Sequence, residues 1–464
     1  MQINQTQSAN HKVSALAATA LVAALTLAGC GDGDSSEPTS VPQPTAAQMA
    51  ASGLNKLPVA PDSKRVDLTA PPFSQSTEVT NPLFPISDLH SAVLNGRIDG
   101  KPFHTETTLL PYTRAVEWPP GHQVETLVSQ YAAFLDGRIQ EVALDYYAQA
   151  DDGSVWYFGE DVADYNPQGL VAFTTDSWLA GKDGPPAMIM PGDPKLGNAF
   201  RTENIPGVVF EEVTVKTLDR TVKGPPGPVK GAMVGQELHD DGMTSNKVFA
   251  PGYGEFFTSD QDGVEAMALA VPSDALQGPP PPELKALSTG TSRVFDAVHS
   301  KSWKRVTAGL DAASAAWRDL ERATPVPTRL KPPMNRAIDA LSSAVAARDQ
   351  ERAGTAAIDV AQAGLDLELR YRPPAEIDLA RFEQWNRQLI VDARAGKLGA
   401  ARGDLVTMEW TRDRFADTIA GADRTRIDTD LLALGDEVQN EDLAALSSDA
   451  AGLRDTLAGL KTVS

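Results

Sequence analysis

The sequence predicts an α+β chain: an antiparallel β-rich part, a meander curled into a clam or open barrel, followed by an all-α part built as a helical bundle or as repeated helical hairpins. Three observations carry this. Segments rich in aromatic and β-branched residues crowd the stretch from Asn81 to Pro272, and turns rich in Gly and Pro separate them. No long helical period intervenes, which argues against parallel β-α-β units. After "ALQGPPPPE" (275–283) glycine thins out, and Ala, Leu, Arg, Asp and Glu dominate to the end. The expected divisions are a signal peptide (1–29), a disordered tether (30–75), an antiparallel β domain (76–274), a proline-rich linker (275–284) and a helical domain (285–464). A chain of 464 residues exceeds what one hydrophobic core usually organises.

Residues 1–12 are polar and end in His11 and Lys12, and Val13 to Ala28 carry no charge. This apolar run is shorter than the roughly 20 residues of a spanning helix and matches the core of a secretory signal. It leads into Cys30, the single cysteine of the chain. Leu27-Ala28-Gly29-Cys30 resembles the lipobox of bacterial lipoproteins. The resemblance implies cleavage before Cys30 and covalent diacylglycerol and acyl lipid on it, with no other cofactor. Each buried methylene contributes about 0.8 kcal/mol, so two or more chains hold stably. The implied protein is anchored to an extracytoplasmic membrane face, inner or outer, that it does not cross. With Cys30 consumed, no disulfide can form within the chain.

Residues 31 to about 75, beginning "GDGDSSEPTSVPQPTAAQ", are rich in Ser, Thr, Pro, Gly and acids with no apolar period, and read as a disordered tether. As a flexible coil it would span roughly 35 to 40 Å.

Within the β part, "EVALDYYAQ" (141–149) and "SVWYFGE" (154–160) flank Asp152-Gly153, a strong hairpin signal. If Ala150 faces Val155, counting outward pairs Gln149 with Trp156, Tyr147 with Phe158 and Asp145 with Glu160. All six side chains then share one face. Opposed carboxylates destabilise a strand pair, so Asp145 and Glu160 call for a cation, a bound proton or solvent. The expected site is a ligand or cation pocket made by Asp145, Tyr147, Trp156, Phe158 and Glu160. The alternative is a pair of acids at a wet sheet margin or bonded to backbone donors.

In the helical part, "AEIDLARFEQWNRQLIVDARAG" (375–396) places Phe382, Trp385, Leu389 and Ala393 on one face, entered through Pro373-Pro374. Asp311, Asp359, Asp404 and Asp449 recur at intervals that suit a helical hairpin as repeating unit. Trp317, Trp385 and Trp410 are expected in core packing. The Arg370-Tyr371-Arg372 cluster is expected to cap a helix or to pair with acids such as Glu368.

Net charge is −21, a field that repels phosphate backbones, so nucleic acid is excluded as a partner. There is no G-x-S-x-G, no phosphate-binding glycine loop and no H-E-x-x-H, and no catalytic residue is assigned. His239-Asp240-Asp241 is the one place where a His adjoins acids, in what reads as a polar loop that could hold a hard cation.

"LDYYAQADDGSVWYFGED" (144–161), "SWLAG" (177–181), "MIMPGDPKLGNAFRTE" (188–203) and "FAPGYGEFF" (249–257) together resemble a domain of uncharacterised bacterial secreted proteins and lipoproteins. The resemblance implies a β domain in an exported setting and supplies no catalytic residues. The expected function is binding in the cell envelope, of an apolar small molecule or of a protein partner. The alternatives are a cation-dependent hydrolase using acids of the β domain, and a structural spacer.

Overall fold

Fourteen strands form one antiparallel sheet in the computed structural model, which describes residues 37–259 and 263–460. Cys30 and the signal segment lie outside the described residues. A short strand pair, β1 (Thr39–Ser40) and β2 (Thr69–Ala70), flanks a one-turn-and-a-half helix, α1 (Ala46–Ala51). The sheet follows with β3 (Ser91–Ile98), β4 (Lys101–Glu117), β5 (Gln123–Leu135), β6 (Arg138–Gln149) and β7 (Val155–Tyr165). The small strands β8 (Val171–Phe173), β9 (Trp178–Leu179) and β10 (Ala187–Met190) all pair with β7. A second meander runs through β11 (Ala199–Ile205), β12 (Val209–Lys223), β13 (Pro228–His239), β14 (Thr244–Ala250), β15 (Gly254–Ser259) and β16 (Gly263–Val271). The ladder reads β10-β7-β6-β5-β4-β3-β16-β15-β14-β13-β12-β11.

The two ends of that ladder, β10 and β11, are consecutive in the chain and pack side by side without a ladder between them. The sheet is therefore an open barrel, one of the two forms the sequence left open for its β part. Because side chains alternate, each strand sends one set inward and one outward. Part of the interior is apolar and filled, with Tyr147, Phe200, Val213, Met233 and Phe249 packed under Phe84 from the segment before β3. The remaining interior is acidic.

Residues 38–75 are not a free tether. Val41, Leu54 and Ala70 are buried, and Arg65 makes a buried two-pronged ion pair with Asp67. Asp67 also accepts the Arg201 N–H, Glu212 accepts the Ala60 N–H, and Val66 N–H donates to the Ala199 carbonyl. The segment thus covers the β11 edge, an unpaired row of backbone donors and acceptors that would otherwise stay open. Its few apolar residues follow no period because each fits a pre-existing sheet surface.

Eight further helices follow among the described residues: α2 (Pro282–His299), α3 (Trp303–Ala323), α4 (Lys331–Ala347), α5 (Gln350–Glu368), α6 (Pro374–Arg394), α7 (Leu398–Phe415), α8 (Gly421–Gln439) and α9 (Leu443–Leu457). They make two successive four-helix bundles. In the first, α2 packs on α3 and α5, and α4 bridges α3 to α5; in the second, α6 packs on α7 and α9, and α8 bridges them. Each bundle is entered in the same way, with one proline as N-cap and a second at the first helical position, Pro281-Pro282 and Pro373-Pro374. Asp311, Asp359, Asp404 and Asp449 lie in α3, α5, α7 and α9, the second helix of each successive hairpin. The repeat is therefore a hairpin, two of which close a bundle. No helix among the described residues is long and apolar enough to cross a membrane.

The proline-rich stretch ends the sheet but does not separate two compact bodies: from Pro38 onward the chain packs as one unit. Val93, Leu269 and Val271 of the barrel share a core with the first bundle. Phe134 stacks on Trp385 at 5.4 Å, and Trp410 Nε1 donates to the Tyr165 hydroxyl at 2.8 Å. Buried charges complete the junction. Glu106 on β4 receives Arg381 at 2.7 Å and Arg414 at 2.5 Å, while Arg138 on β6 reaches Asp392 at 2.8 Å and Asp404 at 2.9 Å. Arg372 pairs with Glu368 and Glu376, as its sequence position suggested.

Candidate cation site

Asp145 and Glu160 are direct partners across the β6–β7 ladder. Beyond them the register slips, so Tyr147 opposes Tyr157 and Ala148 opposes Trp156. The cause is a bulge in β7 at Gly159, whose φ of 128° suits glycine and whose Cβ position would lie 2.3 Å from the Trp178 carbonyl oxygen. The expected six-residue face is therefore divided. Asp145, Tyr147 and Glu160 stay together and are joined by Tyr157, which stacks on Tyr147 at 4.9 Å and donates its hydroxyl to Asp145 at 2.7 Å. Trp156 and Phe158 face the other way and pack edge-on against Phe73, at 6.4 and 5.3 Å.

One turn of the ladder further on, Glu141 and Asp164 form a second opposed pair. Burial raises all four carboxyls, Asp145 to about 6, Glu160 to about 8, Asp164 to about 6 and Glu141 well above the usual range, and like charge adds to it: Asp145 on Glu160, Asp164 on Glu141, and Asp176 on Asp164. For Asp145 the hydrogen bond from Tyr157 works against burial. Glu265 on β16, bonded by the Thr105 hydroxyl, is raised to about 7 by burial and by Glu255. The acidic part of the interior thus holds protons near neutrality.

Past the β10–β11 seam, on β12 and β13, three donors meet. His239 on β13 is the register partner of Glu211 on β12, and Glu237 lies two residues back on the same face. The His239 Nδ1 is 3.2 Å from Glu211 Oε1, and its Nε2 is 3.8 Å from Glu237 Oε2. Donor atoms of all three groups lie within 4.8 Å of one another, and all three residues are buried. Supporting groups fix them. The Thr202 hydroxyl donates to Glu211 at 3.4 Å, and the Ser245 hydroxyl donates to Glu237 at 3.2 Å. Lys247 Nζ stands 3.2 Å from Glu237 Oε2. The other Glu237 oxygen, Oε1, is buried without a hydrogen-bond partner.

Two carboxylates and an imidazole are a donor set for a divalent first-row metal, and three protein ligands leave a position open. The loop acids beside His239 do not join this set: Asp241 accepts the Met243 N–H in the turn. Sequence reading picked His239 but attached it to its chain neighbours. Its partners come from alternate positions and from the neighbouring strand. Neither models of protein families nor curated protein sequences match this chain.

Proposed function

We propose that the protein is a lipid-anchored envelope protein whose barrel binds a divalent metal cation at Glu211, Glu237 and His239. The observation that carries this is Glu237 Oε1, a carboxylate oxygen in a residue only 1 % exposed, unbonded and next to two other ligand atoms. An orphaned buried acceptor costs about 1 to 3 kcal/mol, and more when charged; a metal removes that cost. An apolar ligand fits less well, because Trp156 and Phe158 already spend their surface on Phe73.

The test is thermal unfolding of the full chain, stripped with chelator and then titrated with zinc or manganese. A specific site raises Tm with metal concentration, following mass action. Glu237→Gln and His239→Gln each weaken the metal dependence by at least about 10-fold, since removing even a group that only orients a ligand costs that much. Equal responses of wild type and both variants would exclude this site. Anchoring is tested separately: labelled palmitate marks the wild type and not Cys30→Ser.

A further inference from the structure

We propose that a second site, on the outside of the barrel, binds a phosphate-bearing ligand in the cleft between β3, the β12–β13 turn and the start of α4. The proposal rests on residues apart from the metal donors and stands without them. In a chain of net charge −21, four cations converge on this one cavity of about 510 Å³: Arg97 of β3, Lys223 at the end of β12, Arg329 before α4 and Arg336 in its second turn.

None of the four has an ion-pair partner among the described residues. Arg97 donates only to the Gly100 carbonyl, at 2.9 Å. The arginines of the barrel–bundle junction, by contrast, are each matched to a carboxylate. Partial burial lowers the pKa of Arg329 and Arg336, and Arg97 lowers that of Arg336 further, the sign expected of like charges gathered without a counter-ion.

The walls define the ligand. Pro225, Pro332, Pro333 and Met267 line the same cavity, giving it rigid apolar sides. Asn95 Nδ2 donates to the Arg329 carbonyl at 3.5 Å and ties the two sides together. The first turn of α4 contains Pro332 and Pro333, which have no N–H to offer, so side chains and not helix amides make this site. A carboxylate would leave most of the four charges unmatched. A phosphate ester carries more charge and presents several oxygens to guanidinium forks, and its organic part meets the proline wall. Such a group can come from a soluble phosphate ester or from an anionic phospholipid headgroup.

The experiment uses the full chain and two probes: glycerol 3-phosphate by titration calorimetry, and phosphatidylcholine vesicles with or without phosphatidylglycerol by co-sedimentation. The variants are the exposed pair Arg329→Gln/Arg336→Gln and, as a control outside the cleft, Lys216→Ala. Saturable glycerol 3-phosphate binding, weakened about ten-fold or more by the double variant and unchanged by the control, supports the site and a soluble source. Preference for phosphatidylglycerol vesicles over phosphatidylcholine alone, lost in the double variant only, supports the site and a headgroup source. Absence of both responses up to about 10 mM glycerol 3-phosphate, or equal loss in the control, overturns the proposal.

Discussion

Glu211 and His239 face each other across the β12–β13 ladder with Nδ1 and Oε1 3.2 Å apart, and Lys247 reaches the neighbouring Glu237 from the next strand. An ammonium there neutralises a carboxylate that a metal would also claim. Lys247→Met therefore has two opposite effects. The metal-free protein loses stability, because Glu237 keeps its burial and loses its cation. Metal affinity rises, by about ten-fold, since one competing charge is gone. Calorimetric titration of metal alongside thermal unfolding reads both; a fall in both quantities would mean that Lys247 supports metal binding.

The acid pair on β6 and β7 sets a second expectation. Glu160 has its pKa raised from 4.5 to about 8, chiefly by burial and then by Asp145. A carboxyl that binds its proton more tightly when folded contributes most below its unfolded pKa, and that contribution is lost as pH rises through the folded value. Wild-type stability should therefore decline between about pH 4.5 and 8. Glu160→Gln flattens the decline and is more stable than wild type at pH 8 by on the order of 1 to 3 kcal/mol. Denaturant melts at pH 5 and pH 8 check it, and a decline of equal slope in the variant contradicts it.

At the junction of barrel and bundles the sign reverses. Burial pushes the Glu106 carboxyl up, but Arg381 and Arg414 outweigh it and hold the pKa well below 4.5. Its contribution is present above about pH 4.5 and is lost as pH falls through the folded value. Glu106→Ala leaves two arginines buried and should cost about 3 to 5 kcal/mol. Because the junction links sheet and helices, near-ultraviolet and far-ultraviolet signals should still melt together in the wild type. Two separated transitions in Glu106→Ala would show that the junction supplies this cooperativity.

Gly159 gives a test of the bulge. A methyl group there would meet the Trp178 carbonyl oxygen at 2.3 Å, in a backbone conformation that disfavours side chains. Gly159→Ala should lower stability by about 2 kcal/mol or more, whereas Gly137→Ala, in a turn with open space around it, pays only for its φ of 75° and loses about 1 kcal/mol. Equal losses would remove the steric argument.

The order of strands then helices was legible because aromatic and β-branched runs, turn residues and a proline block are local signals. The hairpin at Asp152-Gly153 was legible for the same reason, but its register was not: Gln149 and not Ala150 faces Val155, and Asp145 meets Glu160 as expected only because the extra residue at Gly159 cancels that one-residue offset. Placement of Trp156 and Phe158 was not, since one extra residue at Gly159 reverses their face. The metal donors were hidden by the same physics. Lys223 opposes Pro228 next to the β12–β13 turn, and simple counting from there sets His239 against Glu212, which faces outward to Arg201. Successive slips along β12 shift the register by one and bring Glu211 inward instead. Residues 38–75 escaped because burial of Val41 or Leu54 depends on a sheet surface built far along the chain.

That early docking limits how far the barrel can stray from a lipid surface. With Cys30 acylated as proposed, only residues 31–40 separate the acyl group from Val41, which is fixed in the fold. Their contour length is about 35 Å at most. The barrel is then held close above the bilayer, where local encounters with headgroups are frequent, and cannot range deep into the surrounding compartment.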